Sequence, residues 1–429
     1  MACERARDAN PLESHCCHAY HFHCSELLIN QRGRLHGGPV MTRLMSEPTV
    51  PEILNSYNDR APLAEASTIP APWYVDDRIA ALERKTVFSR TWQVVGRTDQ
   101  VGKPGDYLTA NVAGEPIVVV RGQDNQLRGF FNVCRHHAAA VMTEPCGHAT
   151  ILRCPYHGWS YGLDGALKGV PEFAGVQNFD PAKNGLMPVT VDRWENFVFV
   201  HLDPVHLDPV HLDPHAVPLK EFLGSIVPRL APLEVSKLGF FQRKSYTLEC
   251  NWKVYVDNYL DGGYHVPHLH KGLSSVLDYT QYTIENDGRH CLQSSPMVSS
   301  TEDAATSATR TGDRAYYYWL YPNFMINCYA GYMDTNLVLP IDTDHCQVIF
   351  DFFFADISDA AKAHNTESVN VSNRVQEEDE GICASVQRGL KSRAYGAGRL
   401  SVRRESGEYL FHRLLAQDLK SSLDKPSLD

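Results

Sequence analysis

The stretch that decides the fold reads Cys134-x-His136, then seventeen residues, then Cys154-x-x-His157. Zinc sites usually place cysteine beside cysteine and histidine beside histidine, whereas each arm here carries one thiolate and one imidazole. Mixed arms fit a two-iron cluster in which both cysteines hold one iron and both histidines hold the other. Neutral imidazole ligands raise the reduction potential of such a cluster above that of an all-thiolate cluster.

The loop that carries the second arm supports the same interpretation. It continues as GWSYGLDG over residues 158–165, with its own turn glycines and a hairpin signal at the final Asp-Gly pair. We therefore predict that Cys134, His136, Cys154 and His157 hold a Rieske-type [2Fe–2S] cluster. A zinc knuckle is the alternative, and it leaves both the mixed pairing and the loop unexplained.

Composition excludes several classes of protein. The 429 residues include 43% hydrophobic side chains and carry a formal net charge of −11, enough chain for two or more domains with cores of their own. The net negative charge, together with the absence of any cluster of basic residues in the sequence, argues against a nucleic-acid partner. No apolar run approaches the roughly 20 residues that a membrane span needs. The 12 cysteines are irregularly spaced, which favours a reducing compartment over a disulfide scaffold.

Residues 1–44 differ from the rest because they hold four cysteines and five histidines without any period. Such a tract can bind metal, but we predict an atypical, disordered extension or a mis-assigned start. The segment lacks the apolar core of a secretory signal and is too acidic for a typical transit peptide. We expect the cytoplasm, with the chloroplast stroma as the alternative if the source is a plant.

The cluster domain is predicted over residues 70–200. A helical period covers 76–92, and short alternating strands with glycine and proline turns follow to about residue 200. At 201–215 the chain reads HLDPV three times, with the last copy incomplete. The prolines prevent a regular helix or a central strand. We predict a surface linker between domains there rather than a metal-binding repeat.

Residues 216–429 mix helical and strand patterns and predict a larger α+β domain. Helices are expected at 249–260 and 367–390, and aromatic-rich strands at 316–324 and 348–354. The predicted fold class is therefore α+β, with an all-β cluster domain followed by a larger α+β domain.

A second metal constellation follows the first of these helices. Asp257, Asp261 and His265 are four residues apart, so they share one helix face if the helix continues through the intervening glycine pair. A proline two residues later breaks the helix, and His268 or His270 can then turn back towards His265. Two imidazoles and one carboxylate with open positions form the facial triad of non-haem Fe(II) oxygenases. The pattern predicts a mononuclear iron site.

The third ligand has to come from elsewhere in the chain. Asp379 lies on the apolar stripe of the helix predicted at 367–390. Glu377 and Glu380 point away from that stripe, and Glu378 lies at its edge. A buried carboxylate needs a partner, and an iron would serve as well as an arginine or a backbone amide. Spacing alone does not decide whether Asp379 binds an iron or is satisfied by a protein partner.

Four stretches of the sequence carry a resemblance to known proteins. They are the cluster arms at 134–157, DNYLDGGYHVP at 257–267 with a histidine at 270, YPNF at 321–324, and VQEED at 375–379 with VQRGL at 386–390. In these stretches the chain resembles α subunits of the Rieske-type non-haem iron ring-hydroxylating oxygenases, over roughly residues 70–415. Within that family it is most similar to members that oxidise choline.

The resemblance implies a catalytic domain with a helix-grip-like antiparallel sheet. It implies His265, His270 and Asp379 as ligands of a mononuclear non-haem Fe(II), with His268 in place of His270 as a minor alternative.

The resemblance also implies a carboxylate that links the iron site to the Rieske cluster of a neighbouring subunit. Asp261 is the candidate for this catalytic role. In many members the carboxylate lies three residues before the first histidine, where this chain has Gly262. The route is therefore open, and Asp257 is the alternative.

The implied activity is that of a ferredoxin-dependent monooxygenase in a homotrimer, with O₂ and choline as substrates. It would hydroxylate choline to the hydrate of betaine aldehyde, the first step of glycine betaine synthesis. Glycine betaine and carnitine are alternative substrates, and a cationic side chain in the pocket would favour them because they carry a carboxylate. A third hypothesis is an electron-transfer Rieske protein without oxygenase activity.

A trimethylammonium group makes no conventional hydrogen bond and is bound by aromatic faces through cation–π contacts of about 0.5–2 kcal/mol each. The aromatic run over 316–321 supplies such faces, and strand alternation directs half of them inward. We predict Trp319 and Tyr321 as members of a substrate cage. The alternative is that they fill the core.

Overall fold

The computed structural model describes residues 47–202 and 217–423. The predictions for residues 1–44, and for all but the first two residues of the 201–215 repeat, lie outside these ranges. Within the described part of the chain, no helix has the length and apolar character needed to cross a bilayer.

The described residues form seventeen strands and eleven α-helices. The strands are β1 Gln93–Arg97, β2 Asp106–Val112, β3 Glu115–Arg121, β4 Leu127–Phe131, β5 Cys146–His148, β6 Leu152–Arg153, β7 Ser160–Tyr161, β8 Leu167–Gly169, β9 Pro188–Trp194, β10 Phe197–His201, β11 Gly239–Leu248, β12 Thr283–Asp287, β13 His290–Pro296, β14 Arg314–Leu320, β15 Phe324–Tyr329, β16 Tyr332–Pro340 and β17 Cys346–Phe354. The helices are α1 Val50–Asn55, α2 Pro72–Val75, α3 Asp77–Glu83, α4 Leu219–Leu223, α5 Ile226–Leu230, α6 Trp252–Leu260, α7 Val266–Leu269, α8 Lys271–Ser275, α9 Ala304–Thr309, α10 Lys362–Leu390 and α11 Ser406–Lys420.

The first sheet carries one arm of the cluster motif. Its strand order is β1-β10-β9-β4-β3-β2-β5. Residues 117–120 in β3 are completely buried, as expected for a continuous apolar run in a central strand. A small sheet of β6, β7 and β8 carries the second arm between its first two strands. The predicted all-β cluster domain is confirmed.

The second sheet supports the candidate iron site. Its order is β11-β17-β16-β15-β14-β13-β12, with antiparallel neighbours throughout. Helix α10 packs against the sheet with buried side chains every three or four residues, among them Val369, Gln376, Asp379 and Cys383. The predicted helix is confirmed, with Asp379 on its buried face, but Ile382 and Val386 of the predicted apolar stripe are exposed.

Helices that precede the first sheet pack with the second one. Trp73 and Phe88 share a hydrophobic core with Trp252 and Phe411, and Nε1 of Trp252 donates a hydrogen bond of 2.8 Å to Glu83. The first sheet begins only at β1. The predicted start of the cluster domain at residue 70 is therefore too early.

The strand predicted at 316–324 is two strands. Strand β14 ends at Leu320, and β15 returns antiparallel to it from Phe324. Pro322 lies in the connecting turn, where the missing N–H of proline costs no ladder hydrogen bond. The aromatic run therefore reaches past the end of a strand rather than through its middle.

Candidate functional site

The two arms of the cluster motif meet at one end of the β domain. Cys134 and Cys154 are buried, whereas His157 is exposed. The rings of His136 and His157 lie 4.8 Å apart between centroids, and His136 stacks on Trp159 at 4.7 Å. Thiols inside and imidazoles outside would leave the histidine side of a cluster open to a redox partner.

The atoms of this site fit the cluster that the pattern predicts. Nδ1 of His136 is buried without a hydrogen-bond partner among the described residues, as expected of a free metal-ligand atom. Burial raises the pKa of Cys154, while the backbone N–H groups of Tyr156 and His157 oppose the rise and favour the thiolate that binds iron. The hydroxyl of Tyr161 lies 3.3 Å from Sγ of Cys134.

The predicted iron ligands come together from two distant parts of the chain. Oδ1 of Asp379 on α10 lies 3.1 Å from Nε2 of His270 and 3.9 Å from Nε2 of His265. Nδ2 of Asn258 donates a hydrogen bond of 2.8 Å to the same oxygen. One carboxylate and two imidazoles thus face each other as a facial triad requires. His268 is not part of this group.

Both histidines are held by a second carboxylate on the ring nitrogen that faces away from Asp379. Nδ1 of His265 lies 2.7 Å from Asp261, and Nδ1 of His270 lies 2.6 Å from Glu378. Such partners fix the tautomer and leave Nε2 free for a metal. Burial by itself lowers the pKa of His270, but Asp379 and Glu378 outweigh it and raise that pKa, so the site favours positive charge.

The chain reaches this geometry by a turn, not by the continuous helix that the sequence predicts. Helix α6 ends at Leu260, because Gly262 and Gly263 adopt φ values of +71° and +66°. The Asp261 carboxylate then accepts the backbone N–H of His265 at 2.9 Å. Pro267 lies in the first turn of α7, where proline is tolerated, so it helps to start a helix rather than end one.

Asp257 therefore does not share a face with His265. Its carboxylate accepts hydrogen bonds from the hydroxyl of Tyr74 at 2.6 Å and from Nε2 of His412 at 2.9 Å. The helical period placed Glu378 only at the edge of the stripe and did not indicate it as a partner of His270. The sequence offers one indication of this role, which is that Glu378 is adjacent to the predicted ligand Asp379.

A cavity of about 120 Å³ opens onto the triad. Its aromatic lining consists of Tyr255, Tyr259, Tyr282, Tyr317, Tyr329 and Phe350. Burial raises the pKa of Tyr317 well above its usual value, so this phenol stays neutral. The aromatic part of the cavity wall therefore presents uncharged rings, with hydroxyl groups at fixed places.

The predicted cage residues Trp319 and Tyr321 lie outside this cavity. Their rings pack on Phe411 of α11, with centroids 5.6 and 6.5 Å away, and both side chains are buried in the core. Trp319 shares a sheet face with Tyr317, as alternation predicts, but α11 covers its end of that face, and Tyr321 lies in the turn beyond β14. Tyr317, paired with Asn327 on β15, lines the cavity instead.

Two charged side chains line the cavity besides the triad. Arg310 donates from Nη1 to Ser368 at 2.7 Å and from Nη2 to Ser372 at 2.6 Å, both on α10. Asp334 accepts from Tyr332 at 2.6 Å, and burial raises its pKa although Arg310 opposes the rise. A substrate in this cavity meets one cation and one carboxyl group.

Comparison with known proteins gives two family matches. Residues 91–180 match the Rieske [2Fe-2S] domain, and residues 235–421 match the catalytic domain of the ring hydroxylating alpha subunit. Each matched range contains one of the two candidate metal sites.

Two curated relatives span most of the chain. The chloroplastic choline monooxygenase of Arabidopsis thaliana is 38% identical over 380 residues, covering 88% of this chain and 89% of its own. The carnitine monooxygenase oxygenase subunit of Escherichia coli K12 is 32% identical over 384 residues, covering 86% and 98%.

Solved structures agree on the architecture. A quaternary ammonium Rieske monooxygenase superposes with a TM-score of 0.73 at 28% identity, covering 82% of this chain and 95% of its own. Naphthalene 1,2-dioxygenase from Rhodococcus, at 19% identity and a TM-score of 0.68, shares the fold.

Proposed function

This chain belongs to the Rieske ring-hydroxylating oxygenase family, and from that premise we propose that it hydroxylates choline to the hydrate of betaine aldehyde. The family carries a Rieske [2Fe–2S] cluster and a non-haem iron, and the iron supplies oxygen activation. The relative with 38% identity is a choline monooxygenase, and this likeness supports choline over other quaternary ammonium compounds.

The observation that carries the proposal is the position of the triad on the wall of a small aromatic cavity. His265, His270 and Asp379 all line it, so a molecule in the cavity would touch the metal site directly. A volume of about 120 Å³ suits a molecule of about the size of benzene. The tyrosine faces can hold a trimethylammonium group by cation–π contact.

The residues around the triad have separate tasks in this proposal. Asp261 and Glu378 orient the two imidazoles. Asn258 holds Asp379 by a hydrogen bond, which fixes the direction of the carboxylate. The aromatic part of the wall, with Phe350 among its members, excludes water from the reacting carbon. The iron determines the oxygen chemistry, and the protein determines which carbon is presented to it.

Electron delivery completes the proposal. The exposed edge of His157 is the proposed entry for electrons from a ferredoxin-type donor. Asp261, bound to His265, is the proposed link to the cluster of a neighbouring subunit in a homotrimer.

We propose the cytoplasm as the compartment, and the chloroplast stroma as the alternative because the plant relatives are chloroplastic. Cell fractionation distinguishes the two compartments.

One observation favours a second candidate substrate. Arg310 lines the cavity, and an arginine at this place can pair with a carboxylate. Carnitine and glycine betaine carry a carboxylate and choline does not. Both terminal nitrogens of Arg310 already donate to α10, which leaves choline as the first proposal and the carboxylate substrates, carnitine and glycine betaine, as the second.

Turnover in parallel tests the proposal. Reconstituted protein receives a ferredoxin, its reductase, O₂ and one of choline, glycine betaine or carnitine, and products are identified by mass spectrometry. Betaine aldehyde from choline alone supports the first proposal. Demethylated betaine or cleaved carnitine without betaine aldehyde would replace it with the second.

Variants of Arg310 sharpen the result. Arg310→Gln should raise the Michaelis constant by at least about tenfold for a carboxylate substrate, because a charged hydrogen bond contributes about 1.5–3 kcal/mol. It should leave the constant for choline within about threefold. Arg314→Gln is the matched control, since Arg314 lies on β14 and donates to Ser294 at 2.8 Å.

A further inference from the structure

A second cluster of metal-ligand side chains lies between helices α6 and α11. Asp257 on α6 faces Glu408 and His412, which are one turn apart on α11. Nε2 of His412 is 2.9 Å from Oδ1 of Asp257 and 3.8 Å from Oε1 of Glu408. One ligand atom from each residue lies within 4.8 Å of the other two. We propose that these three side chains bind a divalent first-row metal ion, separate from the catalytic iron.

The spacing of this cluster matches that of the catalytic triad in the same structure. The triad places imidazole nitrogens 3.1 and 3.9 Å from one carboxylate oxygen. The second cluster places carboxylate oxygens 2.9 and 3.8 Å from one imidazole nitrogen. Ligand atoms about 2.0–2.2 Å from a shared metal ion are about 3–4 Å from one another. Both groups therefore have room for one ion.

Glu408 supplies an independent reason for a cation. Only 7% of Glu408 is exposed, and its carboxylate is directed at His412 without a hydrogen bond of its own among the described contacts. A carboxylate held at this depth beside a second carboxylate is costly unless a cation is close to both, and a metal ion bound between Glu408, Asp257 and His412 removes that cost.

The ligand set indicates which ions bind. Two carboxylates and one imidazole suit Mn²⁺ or Zn²⁺. The hydroxyl of Tyr74, at 2.6 Å from the other oxygen of Asp257, orients that ligand. Nδ1 of His412 has no hydrogen-bond partner among the described residues, unlike Nδ1 of both iron-site histidines. A hydrogen-bond partner on the second ring nitrogen of a ligand histidine typically raises metal affinity 10- to 100-fold. Because His412 lacks one, this ion should be bound more weakly than the iron. Its role is to hold α6 against α11.

A titration of the holoenzyme with Mn²⁺ alone tests the site. Both iron centres are first loaded, and free Mn²⁺ is then followed by its electron paramagnetic resonance signal. The wild type should bind one Mn²⁺ per chain without loss of iron, and its melting temperature should rise with Mn²⁺ concentration. Glu408→Gln and His412→Gln should each weaken binding at least about tenfold and abolish the rise.

Controls separate this site from others. Glu405→Gln changes a carboxylate one turn away that binds the backbone N–H of Ser401, and it should keep the Mn²⁺. The ion should also persist in His270→Ala, in which the triad has lost a ligand. Absence of binding by the wild type, or equal binding by wild type, Glu408→Gln and His412→Gln, overturns the proposal. If Glu408→Gln does not fold, His412→Gln decides by the same criterion.

Discussion

Nε2 of His270 lies 3.1 Å from Oδ1 of Asp379, although the two residues are 109 positions apart in the sequence. His270 follows the glycine turn and the short helix α7, whereas Asp379 projects from the buried face of α10. Asn258 on α6 donates to the same Asp379 oxygen. Three helical segments therefore converge on one carboxylate, and the position of that carboxylate depends on packing as well as on a metal.

Asp379→Asn should lose the mononuclear iron while the Rieske cluster remains. The amide keeps the shape of the side chain but removes the negative charge that binds Fe(II). We expect iron affinity and turnover to fall by more than about 100-fold, beyond the 10- to 100-fold typical of supporting residues. Iron and sulfide analysis with the visible spectrum measures both centres. Glu377→Gln, on the exposed face of the same helix, is the control, and equal iron in both variants would contradict the assignment of Asp379.

Asp261→Asn and Glu378→Gln should differ although both remove a carboxylate from a histidine Nδ1. Each should weaken iron binding by about 10- to 100-fold. If Asp261 also carries electrons between subunits, then Asp261→Asn with its iron restored should still show slow oxidation of a pre-reduced cluster in a single turnover. Glu378→Gln with restored iron should react at the wild-type rate. Equal rates in the two variants would exclude Asp261 from the electron route.

The two metal sites differ in how far the sequence could predict them. The predicted cluster ligands lie in two short loops, and spacing within each loop is enough to predict the ligand type. The iron site depends on long-range packing, so spacing from Asp257 to His265 suggested a single helix face that Gly262 interrupts. Periodicity placed Asp379 on the buried side of α10, but only the folded chain brings it to His270.

Substrate contacts were the least predictable part. Tyr317 and Trp319 share a sheet face along β14, because side chains two apart point the same way, but the sequence favoured Trp319 and Tyr321 for the cage. Which end of that face is covered depends on Phe411, almost a hundred residues later in the chain. No local pattern contains that information.

Tyr317→Leu and Trp319→Leu should separate binding from stability. Tyr317 lines the cavity, so its loss should raise the Michaelis constant for choline by about 2- to 30-fold, the value of one cation–π contact of about 0.5–2 kcal/mol. Trp319 is completely buried, and its truncation should lower the free energy of unfolding by about 2–4 kcal/mol with little change in that constant. Steady-state kinetics and urea unfolding measure the two effects. A raised Michaelis constant in Trp319→Leu but not in Tyr317→Leu would instead support Trp319 as a member of the substrate cage.

Gly262→Ala should damage both the fold and the iron site. Its φ of +71° costs an alanine about 1–2 kcal/mol, and a Cβ there would collide with the backbone oxygen of Arg404. Gly288→Ala is the matched control, since Gly288 has a φ of +56° with no atom within 4 Å of an added Cβ. We expect Gly288→Ala to cost about 1 kcal/mol and to keep iron, and Gly262→Ala to cost more and to lose iron. Equal unfolding midpoints for Gly262→Ala and Gly288→Ala would show that the backbone around Gly262 shifts to remove the collision.

His290 should make stability depend on pH in a defined window. Burial lowers the pKa of His290 from 6.5 to about 4, and its Nε2 donates a hydrogen bond of 2.6 Å to the backbone oxygen of Phe222. Below about pH 6.5 the imidazole of the unfolded chain takes a proton, whereas the folded one stays neutral until about pH 4. The free energy of unfolding should therefore fall through this window, by about 3 kcal/mol at its lower end.

Urea unfolding of wild type and His290→Gln across this pH window isolates the contribution of His290. The wild type should lose stability relative to His290→Gln as the pH falls, and the difference should level off below about pH 4. His345→Gln removes an exposed imidazole and is the control for the loss of one titrating group. A difference between wild type and His290→Gln that is constant with pH would mean that the folded protein lets His290 protonate as easily as the unfolded chain does.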